Sequence, residues 1–192
     1  MRLFVGIDID REIRENIERF VSQLKQKAPN AKFVSPQSYH VTLKFLGETA
    51  KVAEIRAALK QIEIPHFKIR FCGTGFFPDE RHPRVFWAGI EAEPALRELA
   101  TAISWVLADL GFEEEASFKP HLTLARAGSG SPTPKAGEVA NPKLKPLREL
   151  TASGAEVEFG TMTAREFFLY ESKLTPRGAQ YSKVDRYELV SQ

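Results

Sequence analysis

The pattern His-x-Thr-Leu occurs twice in this sequence, in "YHVTLKFLG" at residues 39–47 and in "PHLTLAR" at residues 120–126. The chain has only four histidines, so chance accounts poorly for two copies. Each copy lies in a short segment of alternating hydrophobicity, and a helical pattern precedes each of them. Because an internal repeat of this kind is typical of similar structural units packed together, we expect residues 1–192 to form a single domain with two lobes.

Helical and extended patterns interleave along the whole chain. Asp10 stands at the start of one helical pattern, a second helix should follow residue 51, and a third should begin at Pro94 and end near Gly111. Residues 127–146 are rich in Gly, Pro and Ser and predict a long surface loop. Because the extended segments are short and hairpin-linked, we predict an α+β fold, with two pseudo-symmetric lobes of mostly antiparallel sheet and outer helices around a central cleft. The predicted strands are residues 2–9, 39–46, 66–72, 84–90, 118–125, 155–162, 165–173 and 180–190.

Composition limits the partners and the compartment. The formal net charge is only +2, with 27 basic against 25 acidic residues, whereas proteins that coat long nucleic acids have a much larger basic excess. Cys72 is the single cysteine, which excludes an internal disulfide and indicates a reducing compartment. There is no signal-peptide pattern and no apolar run of about 18 residues. We therefore expect a cytoplasmic protein that makes no membrane contact.

The two motifs place chemistry on one face of a strand. Residues i and i+2 of a strand share a face, so His40, Thr42 and Lys44 should point one way, and so should His121 and Thr123. Each imidazole then lies about 7 Å from a hydroxyl along the strand. If both strands border one cleft, the ring nitrogens of the two histidines should lie about 5–8 Å apart, since each would hydrogen-bond a different oxygen of one phosphate.

Other catalytic chemistries fit these residues less well. Catalytic zinc takes three ligands from His, Asp, Glu or Cys, but threonines accompany these histidines and no carboxylate shares either face. Neither a Gly-x-Ser-x-Gly elbow nor a Gly-Lys-Ser/Thr phosphate loop occurs. His66 and His82 lie among charged residues and are predicted to be solvated. What remains is acid–base catalysis by two histidines without a metal or another cofactor. Two histidines on opposite sides of a cleft suit in-line displacement at phosphorus. A strained cyclic phosphodiester is the substrate that needs the least activation from such a site.

Beyond the motifs, the chain resembles the 2H phosphoesterase superfamily, and within it the RNA 2′,3′-cyclic phosphodiesterase family, also called the 2′–5′ RNA ligase family. Ser38 and Phe33 stand where that family usually has Asn and Trp. The stretches that carry the resemblance cover almost the whole chain: "RLFVGIDI" (2–9), "HVTLKFLGE" (40–48), "PRVFWAGI" (83–90), "FKPHLTLAR" (118–126) and "SKLTPRGAQY" (172–181).

The resemblance assigns roles that the near-identical motifs leave open. It implies that His121 is the base that activates water and that His40 is the acid that protonates the departing 3′ oxygen, which leaves a 2′-phosphate. Thr42 and Thr123 would orient the phosphate. Arg126 matches a basic position of the family, although strict alternation turns it away from His121 unless the strand ends or twists there. An RNA 5′-hydroxyl in place of water would make the same site a 2′–5′ RNA ligase.

Peripheral contacts are expected around this centre. Lys44, on the predicted face of His40, is the candidate for a second phosphate contact, and the region of Lys173 and Arg177 is another. Tyr181 and Phe118 are candidates for stacking on a base, against the simpler interpretation that they pack in the core. The modest charge favours a grip on one or two phosphates near an RNA end.

Several functions stay open at this level. The expected partners are RNA ends or short cyclic-phosphate nucleotides, bound by a monomer. ADP-ribose cyclic phosphate and 2′–5′ oligonucleotides are alternative substrates. A non-catalytic module that binds RNA ends is the alternative from another class, and turnover of a cyclic nucleotide distinguishes it from an enzyme.

Overall fold

The computed structural model describes residues 1–112, 118–127, 143–151, 157–175 and 178–191. These residues form helices and two antiparallel sheets, which confirms the predicted α+β class. The elements are β1 (Arg2–Asp8), α1 (Arg11–Lys27), β2 (Lys32–Phe33), a 3-10 turn (Pro36–Ser38), β3 (His40–Glu48), α2 (Val52–Leu59), β4 (Phe67–Phe77), β5 (Val85–Glu91), α3 (Ala95–Ala108), β6 (His121–Arg126), α4 (Lys145–Thr151), β7 (Glu158–Ala164), β8 (Glu166–Thr175) and β9 (Gly178–Glu188).

The two sheets share one strand order. One sheet is ordered β3-β1-β8-β9 and the other β2-β6-β5-β4-β7. In the first sheet the motif strand β3 pairs with β1, and β8 and β9 follow. In the second sheet the motif strand β6 pairs with β5, and β4 and β7 follow in the matching positions. The short β2 is the only addition among the described strands. The predicted pseudo-symmetric lobes are therefore present, as a four-stranded lobe and a five-stranded lobe.

Helices from each half of the chain pack on the sheet of the other lobe. Helix α1 follows a strand of the four-stranded lobe but contacts β7 of the five-stranded lobe, where Asn16 Nδ2 donates to the carbonyl of Phe159 at 2.9 Å. Helix α3 follows a strand of the five-stranded lobe but contacts β3 of the four-stranded lobe. Buried apolar side chains of both lobes form one continuous hydrophobic core. Because apolar burial is the main stabilising term in folding, this exchange holds the two lobes together.

Most element boundaries agree with the sequence. Asp10 precedes α1, and Gly111 has the positive φ of +85° that favours glycine just beyond a helix end. The loop predicted at residues 127–146 is wrong at its end, because α4 already begins at Lys145, and residues 128–142 of it lie outside the described part of the chain. β2 and the 3-10 turn were not predicted, because two or three residues show no periodicity.

The two histidines outside the motifs differ from each other. His82 is exposed, as predicted. For His66 the prediction is wrong, because its ring is half-buried and its Nε2 lies 3.0 Å from the carbonyl oxygen of Leu189. No helix in the described ranges is long and apolar enough to cross a membrane.

Candidate active site

The two motif strands border one cleft of about 660 Å³ between the lobes. His40 and Thr42 line it from β3, and His121 and Thr123 line it from β6. The structure thus brings together the four side chains that the twin motif singles out. Further lining residues are Arg2, Phe4, Val34, Ser38, Phe45, Phe77, Val85, Arg126, Ser172, Leu174, Ala179 and Tyr181.

Both imidazoles are held in the same tautomer by the same local hydrogen bond. Nδ1 of His40 lies 2.7 Å from the carbonyl oxygen of Ser38, and Nδ1 of His121 lies 2.8 Å from that of Lys119. A carbonyl oxygen only accepts, so Nδ1 carries the hydrogen in each ring. In the neutral ring Nε2 then has a free lone pair, and it is the atom that can take up or release a proton.

The environment of His40 is strongly apolar. Its ring centroid lies 4.7 Å from that of Phe4 and 4.9 Å from that of Tyr181, which meets it edge-on. Burial lowers the pKa of His40 to about 4, and the positive charge of Arg126 adds to this. The hydrogen bond to Ser38 and the carboxylate of Asp8 oppose the shift but do not cancel it. His40 is therefore neutral near pH 7 in the unliganded protein.

His121 has a related but milder environment. The ring of Phe77 meets it edge-on at 4.8 Å between centroids, and the residue is half-buried. Burial lowers the pKa of His121, Arg126 lowers it further, and the hydrogen bond to the carbonyl of Lys119 opposes both effects. A neutral imidazole with an available Nε2 is the form that a general base requires.

Asp8 connects the strand that bears His40 to neighbouring elements. It lies opposite His40 in the pairing of β1 with β3. Its carboxylate forms ion pairs with Arg14 at 2.7 Å and with Lys183 at 2.6 Å. Arg14 also donates to the carbonyl of Pro36, in the 3-10 turn that leads into the motif. This network connects α1, β1 and the segment that supplies the carbonyl partner of His40.

A β-bulge interrupts both motif strands at the same place. In β3, Thr42 pairs with Gly6 and Lys44 with Val5, so Leu43 has no partner of its own in the ladder. In β6, Thr123 pairs with Trp87 and Ala125 with Phe86, which leaves Leu124 as the additional residue. Such an extra residue breaks the alternation of side chains between the two faces.

The bulge makes the predicted position of Lys44 wrong. Lys44 is only 1% exposed, lies away from the cleft, and its Nζ is 3.3 Å from Ser104 Oγ on α3. Phe45, which alternation assigns to the buried side, is instead 62% exposed and lines the cleft. The corresponding bulge in β6, together with the end of that strand at Arg126, brings Arg126 into the cleft lining. Alternation alone contains no signal for these exchanges.

The two aromatic candidates for base stacking, Tyr181 and Phe118, lie in different places. Tyr181 lines the cleft, but its ring packs edge-on against Phe4 at 5.1 Å as well as against His40. Phe118 packs against the main core and borders a smaller cavity of about 170 Å³ beside the cleft, together with Phe45, Phe77 and Lys119.

The region of Lys173 and Arg177 is only partly described. Lys173 is not among the residues that line the cleft, and its Nζ lies 3.2 Å from Glu171. Arg177 lies outside the described residues. Where the structure describes side chains, it shows no group of three or more His, Cys, Asp or Glu residues placed to hold a metal ion.

Comparison with known proteins extends over nearly the whole chain. The family model described as LigT like Phosphoesterase matches residues 7–87 and 89–181, and each segment contains one motif strand. The chain is 36% identical over 190 residues to the RNA 2′,3′-cyclic phosphodiesterase of Archaeoglobus fulgidus, and the alignment covers 98% of this chain and 100% of that protein. It is 34% identical over 189 residues to the protein of the same name from Methanocaldococcus jannaschii, with coverage of 97% and 100%.

Solved structures with the same fold as this chain cover nearly all of it. The TT0787 protein of Thermus thermophilus superposes with a TM-score of 0.79 at 29% identity and covers 100% of both chains. E. coli LigT complexed with 3′-AMP gives a TM-score of 0.75 at 26% identity, with coverage of 99% of this chain and 98% of that one.

Proposed function

This chain belongs to the LigT-like phosphoesterase family, and we propose that it hydrolyses 2′,3′-cyclic phosphate ends of RNA to 2′-phosphomonoesters by two-histidine acid–base catalysis. The observation that carries the proposal is the pair of imidazoles in one cleft, each with Nδ1 bonded to a carbonyl and each accompanied by a threonine. The curated relatives bear the name of this activity, and E. coli LigT has been solved with 3′-AMP.

The reaction follows from the two available Nε2 atoms. Nε2 of neutral His121 takes a proton from water while the water oxygen bonds to phosphorus. The bond from phosphorus to the 3′ oxygen breaks on the opposite side, and protonated His40 gives its proton to that oxygen. The hydroxyls of Thr42 and Thr123 hold the non-bridging oxygens, and Arg126 offsets their negative charge. The product keeps its phosphate on the 2′ oxygen.

The low pKa of His40 gives the substrate an additional role. A general acid must be protonated, whereas the pKa of about 4 keeps His40 neutral near pH 7. A bound phosphodiester brings a negative charge that counteracts Arg126 and favours the imidazolium form. Substrate binding therefore raises the pKa of His40, so that the imidazole is protonated when it has to act as the acid.

The same geometry also supports ligation. If an RNA 5′-hydroxyl takes the place of water, His121 removes its proton and the attack on phosphorus forms a 2′–5′ phosphodiester, with the 3′ oxygen again leaving. The shared core of the two lobes supports treating residues 1–192 as one domain. The expected monomer and the expected cytoplasmic location stay predictions.

A single incubation tests the proposal. An oligoribonucleotide with a 2′,3′-cyclic phosphate end is incubated with the protein and EDTA, and ³¹P NMR locates the phosphate in the product. We expect a 2′-phosphate at an unchanged rate with EDTA, and none above background with the double variant His40→Ala/His121→Ala. A 3′-phosphate product, a requirement for a divalent metal, or binding of the RNA end without turnover would contradict it.

A further inference from the structure

The cleft contains a second guanidinium besides that of Arg126. Arg2 lines the cleft from β1, is exposed, and forms no ion pair with another described residue. No aspartate or glutamate is among the described residues that line the cleft. Arg126 is already engaged with the reacting phosphate in the proposed mechanism. The positive charge of the cleft wall therefore matches two phosphates, whereas a cyclic mononucleotide has only one.

Arg2 lies at the outer end of the wall that begins at His40. Arg2 and Phe4 share the cleft face of β1, and residues two apart on a strand are separated by about 7 Å. The ring of Phe4 lies 4.7 Å from that of His40 between centroids. Asp8 pairs with His40 at one end of β3, and Arg2 pairs with Glu48 at the other. Arg2 is thus one side-chain position beyond the ring that contacts the proposed acid.

A hydroxyl stands beside this guanidinium. The pairing of β1 with β8 places Ser172 next to Arg2 on the adjacent strand, and both residues line the cleft. Arginine and serine side chains both donate hydrogen bonds to phosphate oxygens, and a guanidinium can donate two at once. Two other cations of this lobe are engaged elsewhere, because Lys44 is buried beside α3 and Lys173 pairs with Glu171 at 3.2 Å. Arg2 and Ser172 together are therefore suited to a second phosphate.

The opposite end of β1 suits a phosphate chain less well. It borders a separate groove of about 480 Å³ that contains three carboxylates and two guanidiniums, from Asp8, Asp10, Glu166, Arg165 and Arg186. Arg186 is already paired with Glu166 and Glu188. Carboxylates repel a phosphate. An RNA chain that extends from the reacting centre therefore meets the more complementary charge on the side of Arg2.

We propose that Arg2 and Ser172 bind the phosphodiester on the 5′ side of the terminal nucleotide, so that the cleft accepts an RNA end in preference to a cyclic mononucleotide. This inference rests on the proposed function and narrows its substrate class. The cyclic phosphate occupies both the 2′ and the 3′ oxygen of the terminal ribose, so the rest of the RNA is attached through the 5′ oxygen. The phosphate on that oxygen is one nucleotide away from the reacting phosphorus. Because Arg2 does not touch the reacting atoms, its contact lowers KM and leaves kcat as it is.

The test uses substrates that differ in the upstream phosphate. They are cytidine 2′,3′-cyclic phosphate, the dinucleotide of two cytidines with the same cyclic end, and that dinucleotide with an uncharged methylphosphonate linkage. The wild type should have its lowest KM for the dinucleotide with the charged linkage. Arg2→Gln should raise this KM about 2- to 12-fold at unchanged kcat, the range from an exposed ion pair to a charge-assisted hydrogen bond.

Controls separate this contact from a general effect of charge. The KM values of Arg2→Gln for the mononucleotide and for the methylphosphonate dinucleotide should change much less than its KM for the charged dinucleotide. Arg2→Lys should keep part of the preference, because it retains the charge but not the planar fork. Arg81 is the matched control, since it is also exposed but lies outside the cleft lining, and Arg81→Gln should behave as the wild type.

The remaining outcomes contradict the subsite. Equal KM changes of Arg2→Gln on all three substrates would show that Arg2 acts on the reacting phosphate or on the fold. An unchanged KM for the charged dinucleotide, or a wild type that does not distinguish it from the mononucleotide, would show that the upstream phosphate is not held there. Each of these results leaves the proposed function standing, because the wild type still hydrolyses the cyclic phosphate. Absence of turnover of every substrate by the wild type would overturn the proposed function, and the subsite with it.

Discussion

Acid should destabilise this protein through His40. The pKa of His40 is about 4 in the folded protein and about 6.5 in an unfolded chain. Folding thus favours the neutral ring, so its contribution to the free energy of unfolding is complete above pH 6.5 and is lost as the pH falls from about 6.5 towards 4. The gap of about 2.5 between the two pKa values corresponds to a loss on the order of 3 kcal/mol at the acid end.

Urea unfolding at several pH values between about 7 and 4 measures this loss. Carboxylates titrate in the same range, so the informative quantity is the difference between the wild type and His40→Gln. Glutamine does not titrate, and its amide nitrogen can take the position of the ring Nε2. We expect the wild type to lose about 3 kcal/mol more than His40→Gln over this range. His82→Gln, which removes an exposed imidazole, is the matched control and should follow the wild type.

NMR titration of the imidazole provides the independent reading. The pKa of His40 should lie far below that of an ordinary histidine in the free protein, and inorganic phosphate should raise it by counteracting Arg126. Parallel stability curves for the wild type and His40→Gln, or a His40 pKa of about 6.5 or higher without ligand, would refute the reasoning. In that case the rings of Phe4 and Tyr181 do not exclude water from the imidazole.

The remaining predictions concern catalysis and binding. His40→Ala and His121→Ala should each lower kcat about 10²- to 10⁴-fold, and kcat of the wild type should have a bell-shaped pH dependence, since one ring must be neutral and the other protonated. A substrate with sulfur as the 3′ bridging atom should restore much of the rate of His40→Ala, because a thiolate leaves without a proton. It should not restore the rate of His121→Ala. Restoration of His121→Ala instead of His40→Ala would reverse the two roles. Arg126→Gln should raise KM about 10- to 150-fold, because a charge-assisted hydrogen bond to the phosphate is lost. It should also raise the pKa of both histidines in NMR titrations, whereas Arg126→Lys should keep these pKa values low. Unchanged pKa values in Arg126→Gln would contradict the electrostatic account. Binding of a short single-stranded RNA end should weaken gently with salt, with a slope of about 0.7 per phosphate for a few contacts, and a slope that requires eight or more contacts would show that the protein holds a longer stretch.

The features that the sequence determined are local ones. Strand alternation placed His40 with Thr42 and His121 with Thr123 on matching faces, and the repeat of the motif predicted two similar lobes. The α+β class followed from segment lengths and turns, since hydrophobic period and turn chemistry act over a few neighbouring residues. These properties survive in any tertiary setting, so a single sequence reveals them.

The tertiary structure decided which side chains surround the reacting atoms. Lys44 is buried and Phe45 exposed because a bulge depends on how β3 pairs with β1, and pairing is a property of two strands rather than of one. The exchange of α1 and α3 between the lobes likewise depends on packing between distant segments. The pKa of His40 is low because rings from β1 and β9 exclude water from a residue on β3. Desolvation and charge act through space, and the distances that set them exist only once the chain has folded.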